Sequence, residues 1–259
     1  MKRKVRELKR IARGNLSGNY MILIKAYVLV TGIAMLVELP FSMLQTPELL
    51  STQNTIYFVA QILINILAII LICGQYKMQL SLARTGKIKE TDLFEPVKNQ
   101  PDRYILANFI LFGLSLLAMI PSLAGLAMLY FYEGITVAAL AFALCLLSTI
   151  LSTYVSLTYN LVFFVLLDNP NMSVMEALKT TKQMMVTHRK RYLYMQFSFL
   201  GMMLAVGLSF GIGILWVEPY MTQTTTLFYL DTKGELDAIQ TERRKNAPIP
   251  EPTVINHYV

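Results

Sequence analysis

Ser148, Ser152, Ser156 and Asn160 recur every four residues in one apolar stretch, with Thr149 and Thr153 beside them. At helical spacing this is a single polar stripe, the arrangement that lines a solute path between membrane helices. Small residues at the same spacing also let two helices pack closely, which is the commoner use. Glu218, next to Pro219, is the second such feature. A carboxylate within an apolar segment is costly and points to function unless it can reach water. Catalytic constellations are otherwise lacking. No Gly-rich phosphate loop, G-x-S-x-G or carboxylate pair near a histidine is present. Cys73 and Cys145 both fall in apolar stretches and form no metal-ligand spacing. His188 and His257 lie far apart in polar segments. These residues imply no enzyme, no cofactor and no metal.

The elements that must position this stripe are set by composition. The chain has 259 residues, 55% hydrophobic and only 15% charged, against roughly 25% charged in soluble domains. Tyr104–Leu129 and Gly134–Leu167 contain no Asp, Glu, Lys or Arg. A hydrocarbon core of about 30 Å takes roughly 20 helical residues, and the backbone crossing it must satisfy its own hydrogen bonds. The alternation of barrel strands is missing. The expected fold is therefore all-α: a polytopic transmembrane helical bundle in one domain, of about six spans, with cytoplasmic amphipathic helices.

Residues 1–20 place Val5, Leu8, Ala12 and Leu16 on one helical face and crowd seven basic residues around it. This is a basic amphipathic N-terminal helix suited to an anionic membrane surface. No small-residue cleavage site follows the next apolar stretch, so it is read as an uncleaved first span. The transmembrane bundle covers residues 21–230. Its spans are expected at Met21–Phe41, with Lys25 and Glu38 snorkelling at its ends, and at Thr55–Tyr76, where Gln61 and Asn65 are expected to hydrogen-bond a neighbouring helix. Two more follow at Tyr104–Tyr130, with Pro121 as a kink, and at Gly134–Leu167, long enough to tilt or to project into water. Cytoplasmic segments 77–103 and 168–191 separate them. Tyr192–Leu230 is too long for one span. It is read as a helical hairpin turning near Gly207, Gly211 and Gly213, with one span plus an interfacial piece as the competing reading. The polar tail, 231–259, carries Pro248, Pro250 and Pro252 and is expected to be mobile.

Charge fixes the expected topology. Eighteen Lys and Arg residues lie in the N-terminal helix, Lys77–Arg103 and Asp168–Arg191, and none in Ser42–Asn54 or Phe131–Glu133. Positive connections stay cytoplasmic. The net charge of +7 is thus read as topology and lipid attraction, with no nucleic acid as partner. Asp168–Arg191 is expected to form a cytoplasmic interfacial helix. Ser173 and Glu176 fit a capping box, Val174, Ala177, Leu178, Thr181, Met185 and His188 form one stripe lying against lipid or the bundle, and Arg189–Arg191 close its C-terminal end.

A family resemblance rests on particular residues. Asp168, Pro170, Glu176, Ala177, Leu178, Ser198, Phe199, Gly201, Gly211, Gly213, Trp216, Pro219, Tyr220, Phe228 and Tyr229 resemble the C-terminal half of an uncharacterised bacterial integral membrane family typical of Firmicutes. It is known as domain-of-unknown-function family nine-seven-five. "RELKRIARGNLSGNY" and "GQYKMQLSLARTGK" are similar to it as well. "VTHRKR" for a Gly-Asn stretch, Met202 for Trp and Glu218 for an apolar residue are departures. The chain is also distantly similar to the membrane domain attached to some glycerophosphodiester phosphodiesterases. The resemblance implies about six helices and no specific chemistry.

The expected function is that of a non-enzymatic accessory or regulatory protein of the bacterial plasma membrane, its N-terminus cytoplasmic. It would act through anionic lipids in the bilayer, a membrane-protein partner or a second copy of itself. Arg6, Lys9, Arg10, Arg13, Arg189, Lys190 and Arg191 are the candidate lipid-surface residues. The alternative is a small transporter or lipid-handling protein with a polar path along Ser148, Ser152, Ser156, Asn160 and Glu218.

Overall fold

The computed structural model describes residues 2–43 and 52–245. The chain forms α1 (Val5–Leu16), α2 (Tyr20–Ser42) and α3 (Thr52–Thr85). A 3₁₀ turn (Glu90–Phe94) and the short α4 (Glu95–Lys98) lead into α5 (Pro101–Phe131), α6 (Ile135–Tyr159) and α7 (Val162–Asp168). Then come α8 (Val174–Val186), α9 (Arg189–Phe197), α10 (Leu200–Leu208), α11 (Ile214–Lys233) and α12 (Leu236–Lys245). No strand occurs among the described residues. Four helical segments are long and apolar enough to cross a membrane: Tyr20–Pro40, Thr52–Thr85, Pro101–Phe131 and Ile135–Asp168. The two further spans expected within Tyr192–Leu230 are not among them: that stretch folds as a shorter hairpin built from α9, α10 and α11, so the expected six spans are corrected to four among the described residues. The hairpin turns near Gly211 and Gly213, as the glycines predict.

The four long segments pair as two antiparallel hairpins. In the first, Gln75 donates to the Ala26 carbonyl at 3.4 Å, and Gln61 donates to Glu38 at 2.9 Å. The Gln61 amide thus bonds the neighbouring helix, as expected, and its partner is the acid at the end of α2, whereas Asn65 departs from the expectation and turns back on its own helix, donating to the Gln61 carbonyl at 2.7 Å. In the second, the Ser148 hydroxyl donates to the Ala118 carbonyl at 2.7 Å, in the turn that precedes Pro121. Gly125 lets the backbone of Ala141 approach closely on the same seam. The rest of these hairpins is bare. Leu36, Phe58, Leu63, Leu117, Leu123, Phe131, Ile135 and Phe142 are exposed large apolar side chains. Apolar surface this continuous marks contact with lipid.

The packed core lies at the opposite, basic end. Leu8, Ala12 and Leu16 of α1 are buried there with Met78, Leu80 and Leu82 of α3. Leu161–Leu167 around α7, Val174 and Ala177 of α8, and Leu227–Leu230 of α11 complete it. Stacked rings of Tyr76, Phe164 and Tyr229 run through its centre, with centroids 4.8 and 5.6 Å apart. The expected apolar stripe of α8 faces this core rather than lipid, since Val174, Ala177, Leu178, Thr181, Met185 and His188 are all buried. The capping box is formed: Ser173 N–H donates to Glu176 at 2.9 Å, and Glu176 N–H donates to the Ser173 hydroxyl at 3.3 Å.

Two further expectations are corrected. The apolar face of α1 does not lie in the membrane surface. It packs on α11 and its neighbours, where full burial of a Leu contributes about 2 kcal/mol. Nor is the tail mobile from residue 231. Helix α11 runs to Lys233, Gly234 caps it at φ 86°, and α12 docks through buried Leu236. Its polar composition hid this, because its partners are distant. Arg3 pairs with Asp237 at 2.7 Å, and Arg243 donates to Asn15 at 2.6 Å. The rest of the expected tail, 246–259, lies outside the described residues.

Candidate functional site

The basic end is organised by two aspartates whose side chains are almost fully enclosed. Asp168, at the end of α7, accepts from both terminal guanidinium nitrogens of Arg84 at 2.7 Å. It also accepts the Tyr229 hydroxyl at 2.8 Å and Lys233 at 3.1 Å. Glu235 closes the set, 3.0 Å from Arg84 and 2.5 Å from Lys233. Asp231 pairs with Arg191 at 2.6 Å and accepts the Arg3 amide at 3.4 Å. Helices α3, α7, α9 and α11 and the residues leading into α1 and α12 are thus tied by charge-assisted bonds. Arg103 adds a clamp on the turn after α7, donating to the Asn169 and Met172 carbonyls at 2.8 and 2.5 Å.

The seven candidate lipid-surface cations divide. Arg6, Arg10 and Arg13 stand exposed on α1 and, with Lys4 and Glu7, line an open groove of about 540 Å³. Arg13 also donates to the Tyr220 hydroxyl at 3.2 Å. Lys9 is half-buried, donates to the Ser198 carbonyl at 2.8 Å and sits 3.7 Å over the Phe199 ring. Burial, with Arg13 nearby, holds its pKa below the usual lysine value. Arg189 stacks 4.5 Å over Tyr154, and Lys190 is exposed. Arg191 is committed to Asp231.

The candidate polar path also divides. Ser148 is buried and spent on the α5–α6 seam, where it lies 3.3 Å from Ser122 as well. Ser152, Ser156 and Asn160 line a recess of about 250 Å³ with Ser115 and Tyr76. Asn160 and Tyr76 also line a second recess of about 240 Å³ with Tyr192, Glu218, Thr222 and Thr225. Glu218 accepts the Thr222 hydroxyl at 2.7 Å. The structure thus gathers Ser152, Ser156, Asn160 and Glu218 around Tyr76 and leaves Ser148 apart. Among the described residues no group of three or more His, Cys, Asp or Glu is placed to hold a metal ion.

Sequence reasoning missed Arg84, Arg103, Tyr229, Asp231 and Lys233 as site residues. Asp168 enters the sequence reading only as the start of segment 168–191 and as a residue of the family resemblance. The available signal was an arginine and an aspartate at the ends of apolar helices, where an unpaired charge is costly.

The family described as Protein of unknown function (DUF975) matches residues 1–235 of the sequence. The chain belongs to this family. The match takes in α1, the four long helices, the hairpin and every residue of the Asp168 cluster. No curated protein and no solved structure matches the chain.

His188 gives this end of the family member a pH response. Its buried ring meets Lys2 and the Thr187 hydroxyl. Arg191 and Asp231 are the other charges that act on it. Burial above all, with Lys2 and Arg191 adding to it, holds the pKa below the ordinary 6.5. The folded state therefore favours neutral His188. The associated stability is complete above pH 6.5 and is lost as pH falls from there through the lowered folded value. Wild-type protein should melt lower at pH 5.5 than at pH 7.5, and His188→Gln should shrink that difference. The carboxylates Glu176 and Asp237 are held below their usual range by Ser173 and Arg3, so they titrate in a separate, more acid window.

Proposed function

We propose that this is a non-enzymatic accessory or regulatory protein of the bacterial cell membrane. Its basic end faces the cytoplasm and binds anionic lipid headgroups along α1. The observation that carries this reading is the division of labour within α1. Its apolar face is held by protein, so Arg6, Arg10 and Arg13 project from a fixed backbone instead of a surface-lying peptide. A positive groove built this way attracts phosphate without inserting into lipid. Each cation near an anionic surface contributes about 1 kcal/mol. Replacing Arg6, Arg10 and Arg13 together by Gln should reduce the anionic phospholipid retained through purification roughly ten- to a hundred-fold. Raising salt should reduce wild-type retention in the same direction. Equal retention by the triple variant and wild type would remove the reading.

The two recesses that share Tyr76 and Asn160 in their walls favour a second reading, a small transporter or lipid-handling protein. It expects Ser152→Cys, in a Cys73→Ala and Cys145→Ala background, to react with an aqueous thiol reagent from both sides of the membrane. Labelling from one side only would exclude a through path.

A further inference from the structure

The hairpin α9–α10–α11 is antiparallel and in close register. Tyr192 meets Phe228 at 5.2 Å between centroids, Phe199 meets Tyr220 at 5.6 Å, and Gly213 packs on Val206. The contacts of α1 fix its height. Lys9 reaches Ser198 and Phe199, and Arg13 reaches Tyr220. Ser198, Phe199 and Tyr220 therefore lie at the level of the α1 cations, which a bilayer keeps among its headgroups.

Beyond that level little helix remains. Leu200–Leu208 rises about 13 Å and Ile214–Pro219 about 9 Å, against the roughly 30 Å of a hydrocarbon core. Helix α3 starts from the same level, where Gln79 donates to the Pro219 carbonyl at 3.3 Å, and continues about 40 Å to Thr52. The long helix crosses; the hairpin cannot.

What the hairpin carries past the cations is nonetheless made for lipid. Residues 192–217 contain no Asp, Glu, Lys or Arg. Leu200, Leu204, Leu208, Phe210, Ile212 and Trp216 are all exposed. The tip is the sharpest case. Phe210 takes φ 53° and is 98% exposed. A bulky residue in the left-handed region is strained. Fully wetting a Phe adds the cost of unburied apolar surface. Immersion in acyl chains recovers the second cost and gives the first a purpose, since the turn holds the ring outward. The rim is polar in the matching way, with Lys9 and Arg13 at the hairpin's base.

We infer that the hairpin is a half-inserted wedge. Its apolar tip, Leu208–Trp216, occupies the acyl chains of the leaflet at the basic end and does not reach the other leaflet. The inference deepens the headgroup reading, but its test is separable, because it is run in zwitterionic vesicles where that reading predicts no effect. Trp216 is the chain's only tryptophan and lies at the tip, so the unmodified full-length protein reports on itself. It is reconstituted into phosphatidylcholine vesicles carrying a nitroxide either high on the acyl chain or near its end.

The expected result is blue-shifted emission, weak quenching by aqueous acrylamide, and quenching at least about two-fold stronger from the shallow nitroxide. Water-like emission with strong acrylamide quenching would overturn the inference by placing the tip outside lipid. Stronger quenching from the deep nitroxide would overturn it by placing the tip at the midplane. A cysteine pair adds sidedness. In the Cys73→Ala and Cys145→Ala background, Tyr132→Cys marks the far side, and Phe210→Cys should stay unlabelled by an impermeant maleimide from that side. Labelling there would show a full crossing and end the proposal.

Discussion

Asp168→Asn is expected to lower the thermal unfolding midpoint by roughly 6–12 °C, corresponding to a loss of about 3 kcal/mol. The side chain of Asp168 is 4% exposed and is the common acceptor for Arg84, Tyr229 and Lys233. In the native cluster two acids balance two bases. Removing the buried acid leaves Arg84 and Lys233 close to each other with Glu235 alone between them. The expected loss is at the low end for a broken buried pair because both bases are about one-third exposed and can recover some hydration. Glu235→Gln is the contrasting case. Its side chain is 35% exposed, so the substitution should cost less than about 1 kcal/mol. A midpoint for Asp168→Asn equal to that of Glu235→Gln would show that the cluster is ornamental.

How far the sequence shows this architecture depends on whether the relevant contact is local. Helix α8 was legible from its start through its buried face but not at its end: it stops at Val186, and Arg189–Arg191, expected to close it, open α9 instead. Its start is a four-residue motif, its buried face is a periodic stripe, and both are present. The glycines near 211 located a reversal because backbone at positive φ favours Gly. Helix α1 was half legible. Periodicity showed that Leu8, Ala12 and Leu16 share a face, but periodicity does not say whether that face meets lipid or protein. Helix α12 was illegible, since its anchors, Arg3 and Asn15, lie more than 200 residues away. The polar stripe shows the same limit within one element. Ser148, Ser152, Ser156 and Asn160 share a helical face. Yet the seam with α5 absorbs Ser148, and the three residues nearer the basic end reach the recesses around Tyr76. Spacing along a helix identifies a face; the neighbouring helix decides what the face does.

Gly74→Ala should be the most damaging single-methyl change in the chain. Gly74 sits within α3, where alanine is ordinarily the better helix former by about 1 kcal/mol. Here the methyl would lie well inside contact distance of the Leu93 carbonyl oxygen and 2.7 Å from its carbonyl carbon. Those are backbone atoms of the 3₁₀ turn, so no rotamer change relieves the clash and the turn itself must move. The turn is not free to do so. Leu93 is buried in the core, and the adjoining Glu95 pairs with Lys77 at 2.8 Å. Overpacking of this kind costs about 1–3 kcal/mol and exceeds that range where backbone is displaced, so at least about 3 kcal/mol of destabilisation is expected. Gly113→Ala supplies the internal comparison, because a methyl there meets nothing within 4 Å on another long apolar helix. That variant should match or exceed wild-type stability by up to about 1 kcal/mol. Thermal unfolding of the two variants separates the readings. If Gly74→Ala melts with Gly113→Ala, then α3 and the turn are not in contact. The segment after α3 would then hang from its ends instead of being pressed onto the helix that crosses the membrane.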